Sequence, residues 1–127
     1  MDVVTMKPGI RQHGPATLKL SFNTSVPAHM RGGLLEVTHV FTPEQHRGKG
    51  YASILMQKVC AEADEAGKVL LLMPKPYDDG PVCTERLAEW YARFGFEAIQ
   101  ASPLLMARYI RSVGVKMKPL AYAMGVN

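Results

Sequence analysis

Alternation of apolar and polar residues near the start of the chain predicts β structure. Leu18, Leu20 and Phe22 alternate with polar residues, as in a strand with one buried face. A short strand is also expected at residues 3–6. The segment Leu34–Phe41 favours a further strand because it is rich in β-branched and aromatic side chains. The first third of the chain therefore predicts three strands joined by turns.

The apolar period changes after the polar, glycine-containing loop at residues 42–50. Between residues 51 and 66 apolar positions recur at helical spacing, and Gly67 is placed to end that helix in a left-handed conformation. Residues 69–73 are all apolar, as in strands that are covered on both faces. A strand, a helix and a buried strand in this order predict a βαβ unit with a right-handed crossover.

A second helix is predicted to begin at Thr84, which can cap it, and to end at Gly95. Its apolar stripe, spaced i, i+3, i+4 and i+7, consists of Leu87, Trp90, Tyr91 and Phe94. The proline-rich residues 74–81 form a loop at the carboxyl end of the buried strand, where α/β sheets usually bind ligands. Residues 96–101 and 104–110 predict two final strands.

Length and composition fit one globular domain. The chain has 127 residues, of which 47% are hydrophobic and 20% charged. Its apolar runs are far shorter than a membrane span, and its start lacks the pattern of a secretory signal. We therefore expect a cytoplasmic protein with no membrane partner. We expect a domain at residues 1–111, and a C-terminal tail or arm at residues 112–127 that packs on the domain or on a partner subunit.

The net charge of +4 suits a phosphate-rich ligand as well as nucleic acid. A loose basic cluster is interpreted as a solvated face, and no basic run has the interleaved aromatic residues typical of nucleic-acid binders. Its members are Arg108, Arg111, Lys116 and Lys118. Cys60 and Cys83 form no CxxC or CxxH spacing, so both are expected to be reduced. Neither nucleic acid nor a metal ion is therefore an expected partner.

The loop before the first helix carries the chemistry and reads Gln45-His46-Arg47-Gly48-Lys49-Gly50. Free backbone N–H groups and the positive end of the helix dipole meet there. The two glycines let an anion approach the backbone, and the loop's basic side chains add positive charge, so the segment predicts a phosphate cradle. The P-loop pattern GxxxxGK[ST] is absent, and Ser53 stands where a dinucleotide fingerprint requires a third glycine or an alanine.

This loop resembles Q/R-x-x-G-x-G/A, the acyl-CoA pyrophosphate loop of the GNAT N-acetyltransferase superfamily. A second segment, Tyr91-Ala92-Arg93-Phe94-Gly95-Phe96, is similar to that family's Y-x-x-x-G-F. The order of the two motifs and the spacing between them agree with the family pattern, and the resemblance covers residues 34–110. It implies a single-domain α/β fold with a mixed, mostly antiparallel twisted sheet of about six strands, a central βαβ unit and two main helices. It also implies acetyl-CoA as co-substrate, an amine acceptor and no metal.

The resemblance also assigns residues to the cofactor. In such enzymes the pyrophosphate binds backbone N–H groups, here those of residues 47–51, and pantetheine bonds to the end of the preceding strand, where two parallel strands splay apart. Thr84 stands where many members carry asparagine, so it either donates one hydrogen bond to the cofactor or only caps its helix. The cofactor-binding residues implied are Val40, Phe41, Thr42, Gln45, His46, Arg47, Gly48, Lys49, Gly50, Tyr51, Ala52 and Thr84.

Tyr91 matches the family's general acid, which protonates the departing CoA thiolate. A phenol has a pKa of about 10 and is protonated at neutral pH, and its ring can complete the apolar stripe at the same time. The base that deprotonates the amine is Glu36, His39 or water. Glu36 alternates with Leu35 and Val37, and it is equally interpreted as a surface or salt-bridged carboxylate. His39 is interpreted as a hydrogen-bonded core residue rather than a base, because it shares a face with Val37.

The acceptor side departs from the family pattern. Members usually place one strand and two helices ahead of the first hairpin, whereas 33 residues precede Leu34, so the chain is identified as a short member with a reduced N-terminal region. Residues 74–81, the C-terminal tail or a second subunit would then form the acceptor wall, and we expect a homodimer. An open cleft suits a small-molecule amine or a protein or peptide amine. The alternative function is a non-catalytic acyl-CoA-binding sensor, against which the retained Tyr91 argues.

Overall fold

The computed structural model of the chain describes residues 6–22, 33–75, 84–112 and 115–117. A six-stranded sheet consists of β1 Gly9–His13, β2 Ala16–Ser21, β3 Leu34–Phe41, β4 Val69–Leu72, β5 Glu97–Ala101 and β6 Leu104–Arg108. The other elements are a 3₁₀ turn at Glu44–His46, the helices α1 Tyr51–Ala66 and α2 Thr84–Ala92, and a hairpin of β7 Ile110–Ser112 and β8 Val115–Met117.

The strand order in the main sheet is β1-β2-β3-β4-β6-β5. All neighbouring strands are antiparallel except β3 and β4, which are parallel and are joined by α1. The predicted fold class is therefore confirmed, including the mixed sheet of six strands, the central βαβ unit and the two main helices. None of the helices in the described ranges has both the length and the apolarity required to cross a membrane.

The predicted elements with strong apolar patterns are found at or near their predicted bounds. The bounds of β3 and α1 agree with the sequence analysis, and Gly67 ends α1 with φ 68°. The predicted strand at residues 104–110 is instead interrupted at Tyr109, where β6 gives way to β7. The strand expected at residues 3–6 lies outside the described residues except for Met6, which is buried but not part of a strand.

The main core lies between one face of the sheet and both helices. The strand residues in this layer include Leu18, Leu20, Leu35, Val37, Leu70 and Leu72. They pack against Leu55, Met56, Val59 and Ala63 of α1 and against Tyr91 of α2. Phe22, predicted on the buried face, is 53% exposed because β2 ends one residue earlier.

The opposite face of the sheet has a second, smaller cluster of buried side chains. Its buried members are Leu34, Val69, Leu71, Ala107 and Tyr109. Because β4 contributes to both clusters, all four of its residues are buried, as the uninterrupted apolar run predicted.

A β-bulge alters the end of β3. Lys19 pairs with Thr38 and Thr17 pairs with Phe41, so β3 has one more residue than β2 across this interval. His39 lies there with φ 53° and is exposed, with Nδ1 3.1 Å from Oγ1 of Thr38. The interpretation of His39 as a core residue was therefore wrong, because the extra residue turns its side chain outward.

A buried ion pair ties β6 to α1. Both terminal guanidinium nitrogens of Arg108 lie 2.9 Å from carboxylate oxygens of Asp64, and its Nε donates to the carbonyl oxygen of Phe94 at 2.6 Å. The assignment of Arg108 to a solvated basic face was therefore wrong. The side chains of the other three members of that cluster lie outside the described residues. Cys60 is a buried free thiol, and Cys83 lies outside the described residues.

Candidate functional site

The loop between β3 and α1 has the backbone of an anion cradle. Gly48 has φ 79°, and Gly50, the N-cap of α1, has φ 88° and ψ 2°. An L-residue would be strained in this left-handed region by about 1–2 kcal/mol. A Cβ built on either glycine would meet no atom of the described residues within 4 Å, which leaves space beside the loop in this part of the structure. The loop thus presents bare backbone to a space that a ligand can enter.

The first turn of α1 has hydrogen-bond donors available for that space. The N-cap residue, Gly50, has no side chain that could accept a hydrogen bond from these donors, and the first turn has no acidic residue. The first intrahelical bond runs from the Ile54 N–H to the Gly50 carbonyl at 3.1 Å. The N–H groups of residues 51–53 precede it and have no acceptor within the helix. Together with the helix dipole they favour an anionic ligand.

Arg47 braces this loop against the end of β3. Its Nε donates to the carbonyl oxygen of Thr42 at 2.8 Å, and its guanidinium carbon lies 5.7 Å from the centre of the Phe41 ring. The residue is partly buried. Arg47 therefore holds the loop in shape as well as contributing charge.

The pairing of β3 with β4 ends before this loop. Their parallel ladder consists of three pairs, which join Leu34 to Val69, Leu35 to Leu70 and Glu36 to Leu71. The ladder is not continued beyond Glu36, although β3 extends to Phe41. The two strands are therefore not paired at the carboxyl end of β3, where the resemblance implies that pantetheine binds.

A cavity of about 660 Å³ lies between the loop, the end of β3 and α2. Its volume is in the range of small-molecule sites. The predicted residues that line it are Val40, Thr42, His46, Arg47, Gly48, Gly50, Tyr51, Ala52 and Tyr91. The structure therefore brings the proposed acid to the same cavity as most of the cradle. Four other predicted residues, Phe41, Gln45, Lys49 and Thr84, are not among the described residues that line it.

Tyr91 is 5% exposed and has its ring in the main core. The ring centre lies 5.0 Å from that of Trp90 and 5.7 Å from that of Phe96, both in edge-to-face arrangements. Because the residue also lines the cavity, its two predicted roles, in the apolar stripe and at the site, are sterically compatible. Its function as an acid stays a prediction.

Glu36 lies on β3 in a partly buried position. It alternates with Leu35 and Val37, so it faces the side of the sheet opposite to the two helices. It is not among the described residues that line the cavity. Its role as a base stays a prediction. Thr84 is the first residue of α2, and its two predicted alternatives, a hydrogen bond to the cofactor or a helix cap only, stay predictions.

Several lining residues were not predicted. Lys75, Arg86 and Arg93 add three cations to that of Arg47, and Glu89 is the one carboxylate among the described lining residues. Arg86 and Glu89 share one face of α2, and Arg93, the residue after its end, continues their spacing of i, i+3 and i+7. That spacing, beside the apolar stripe of the same helix, was the available sequence signal. The excess of cations favours a polyanionic ligand.

A family model described as the acetyltransferase (GNAT) domain matches residues 14–98, which is more than half of the chain. The chain belongs to the GNAT acetyltransferase family. The matched residues include the loop before α1, the described residues that line the cavity, and Tyr91. Fold and family therefore support acyl transfer from coenzyme A.

Solved structures share this GNAT fold. The anti-CRISPR protein AcrVA5 matches with a TM-score of 0.61 and 20% identity, over 80% of this chain and 98% of that protein. The GNAT family N-acetyltransferase YhbS from Escherichia coli, solved in complex with CoA, matches with a TM-score of 0.51 and 17% identity, over 73% of this chain and 50% of that one. Nourseothricin acetyltransferase matches with a TM-score of 0.50 and 20% identity, over 74% and 56%.

The chain thus spans only about half the length of the last two GNAT proteins. No curated protein sequence is similar enough to count as a match. Within the described ranges, the His, Cys, Asp and Glu side chains form no group of three or more that could hold a metal ion.

Proposed function

We propose that this protein transfers the acetyl group of acetyl-CoA to a primary amine. The observation that carries the proposal is a single cavity in which a glycine-lined helix N-terminus, an excess of cations and a buried tyrosine meet. Coenzyme A is a polyanion with a diphosphate at its centre, so the cradle and the cations suit it. The complex of YhbS with CoA supports the same choice of co-substrate.

The proposed reaction is a direct attack without an acyl-enzyme. The amine nitrogen forms a bond to the acetyl carbonyl carbon, and the bond between that carbon and the CoA sulfur breaks. The leaving thiolate takes the phenolic proton of Tyr91, and the new amide nitrogen loses its extra proton to Glu36 or to water. A water relay suits the position of Glu36, which lies on β3 outside the described lining of the cavity.

We propose that the acceptor is a small-molecule amine or a protein or peptide amine. We also propose that a second copy of the chain completes the wall of the acceptor site. Two apolar side chains on the sheet face opposite to the helices are exposed, since Ile10 on β1 is 70% exposed and Phe41 on β3 is 45% exposed. Exposed apolar side chains on one sheet face favour a contact surface. Light scattering of the eluting protein should give a dimer mass, and a monomer at working concentrations would remove the second copy from the proposal.

Titration with CoA in a calorimeter should show saturable binding and should change the fluorescence of Trp90. Trp90 is the chain's one tryptophan and lines the cavity, so its emission reports on a ligand there. Acetyl-CoA and a panel of amines should then release free thiol in step with amide formation. Binding without turnover on any amine would favour the acyl-CoA sensor instead. No binding at all would end both functions.

Gly48→Ala should weaken CoA binding at least about tenfold, because its Cβ would occupy the open space of the cradle and its φ would be strained by about 1–2 kcal/mol. Gly67→Ala is the matched control, since Gly67 also has a left-handed φ, 68°, but lies at the other end of α1. The dissociation constants of both variants are measured by calorimetry. Equal affinities in the two variants would contradict the cradle.

A further inference from the structure

The ring of Tyr51 lies where three segments of the site meet. Tyr51 is the first residue of α1, and its ring is edge to face with that of His46, the last residue of the 3₁₀ turn, at 6.2 Å between centres. The ring of His13, the last residue of β1, lies 6.4 Å from it. Gly14, in the turn between β1 and β2, lies against the same ring. One side chain thus joins the hairpin, the 3₁₀ turn and the helix.

Gly14 leaves the room that this ring needs. Its φ is 56°, and a Cβ built there would lie 3.0 Å from Cδ1 and 3.1 Å from Cε1 of Tyr51. Carbon atoms in favourable contact are about 3.5–4.0 Å apart. An alanine at position 14 would therefore displace either the ring or the turn, although Gly14 itself is not among the described residues that line the cavity.

The contact between Tyr51 and His46 closes the base of the phosphate loop. Residues 47–50 run from His46 to Tyr51, and two of these four residues are glycines. Glycine gives a free loop many conformations, and ordering them opposes ligand binding. A contact that fixes both ends of the loop in the free protein removes part of that cost in advance.

We infer that Tyr51 is a positioning residue for the diphosphate of CoA. Its ring, seated on Gly14 and against His13 and His46, holds the ends of the loop so that the loop's N–H groups converge before the ligand arrives. The inference rests on the proposed function, since it takes CoA as the ligand of the loop. It extends recognition to the β1–β2 turn, which contributes through Tyr51 and not by touching the ligand.

The test compares CoA dissociation constants, measured by calorimetry, in variants that disturb the ring from either side. Gly14→Ala and Tyr51→Ala should each weaken binding by roughly tenfold, and Tyr51→Phe, which retains the ring, should recover most of what Tyr51→Ala loses. Gly67→Ala introduces alanine at a comparable φ of 68° where its Cβ meets no atom within 4 Å, so its affinity should stay within about twofold of wild type. Gly14→Ala should lower Tm more than Gly67→Ala, because its Cβ also meets the ring of Tyr51.

The double variant Gly14→Ala/Tyr51→Ala should bind CoA no more weakly than Tyr51→Ala alone, because removing the ring removes the contact with the new methyl group. Equal affinities for Gly14→Ala and Gly67→Ala, or additive losses in the double variant, would overturn the inference while leaving the proposed function intact. Should Gly14→Ala fail to fold, the comparison of Tyr51→Ala with Tyr51→Phe decides alone. If the wild-type protein does not bind CoA, the proposed function itself is rejected, and the inference about Tyr51 is rejected with it.

Discussion

Replacing Tyr91 with phenylalanine is expected to lower kcat by about 10²-fold and to leave the affinity for CoA nearly unchanged. The ring is 5% exposed and packs against Trp90 and Phe96, and phenylalanine preserves that packing. The substitution removes only the hydroxyl, the proposed source of the proton for the CoA thiolate. The measurement is the rate of thiol release at saturating acetyl-CoA and amine, with the dissociation constant of CoA determined separately by calorimetry.

Tyr109→Phe is the matched control for this change. Tyr109 is 3% exposed but belongs to the cluster on the opposite face of the sheet, away from the cavity. Both variants lose one hydroxyl from a buried ring, so a general effect of that loss should appear in both. We expect Tyr109→Phe to retain kcat within about twofold. An unchanged kcat in Tyr91→Phe would remove Tyr91 from the chemistry, and equal losses in both variants would indicate a structural effect.

The parts of the fold that could be predicted are those in which local pattern and tertiary contacts agree. The residues of α1 repeat with helical period, Gly67 can take the left-handed conformation that ends it, and the apolar run of β4 needs cover on both faces. The phosphate loop belongs to the same class, because its glycines and its place before a helix are visible in the sequence. Each of these signals is contained within one short segment.

Features that depend on another segment could not be predicted. β1 contains Ile10 as its one large apolar residue, and that side chain is exposed, so the strand owes its existence to pairing with β2. The bulge at His39 adds a residue that no alternation pattern reveals, and it reverses the face on which the histidine was expected. Alternation assigns side chains to the two faces of a sheet only where the strands pair without a bulge. In β3 this condition holds only before the bulge.

The same reason limits the prediction of the site. Tyr91 was predicted through a motif, whereas Arg86 and Arg93 line the cavity because α2 packs beside the loop, and Lys75 lines it from the segment after β4. The contact between Tyr51 and Gly14 depends on how the β1–β2 hairpin, which is distant in sequence, packs against α1. Sequence motifs therefore predicted the cradle and the candidate acid, and tertiary packing decided which charges surround them.

Asp64→Ala is expected to lower the free energy of unfolding by about 2–3 kcal/mol, because it leaves the Arg108 guanidinium without its carboxylate in a buried site. The Arg108 side chain is 6% exposed and that of Asp64 is 24% exposed. Burial opposes the charge of Arg108, but its hydrogen bonds to Asp64 and the neighbouring negative charge outweigh this and raise its pKa above the ordinary value. An arginine guanidinium stays protonated in proteins, so the charge of Arg108 remains when its partner is removed. Urea denaturation measures the loss.

Glu62→Ala is the matched control, because Arg11 also makes two hydrogen bonds to one carboxylate, from Nε at 3.1 Å and from a terminal nitrogen at 2.9 Å to Glu62. Their side chains are 25% and 32% exposed, so water screens the charges and can solvate Arg11 once the carboxylate is gone. We expect Glu62→Ala to cost less than about 1 kcal/mol. Equal losses in the two variants would mean that burial of Arg108 does not set the strength of its ion pair, and that β6 is held to α1 by apolar packing instead.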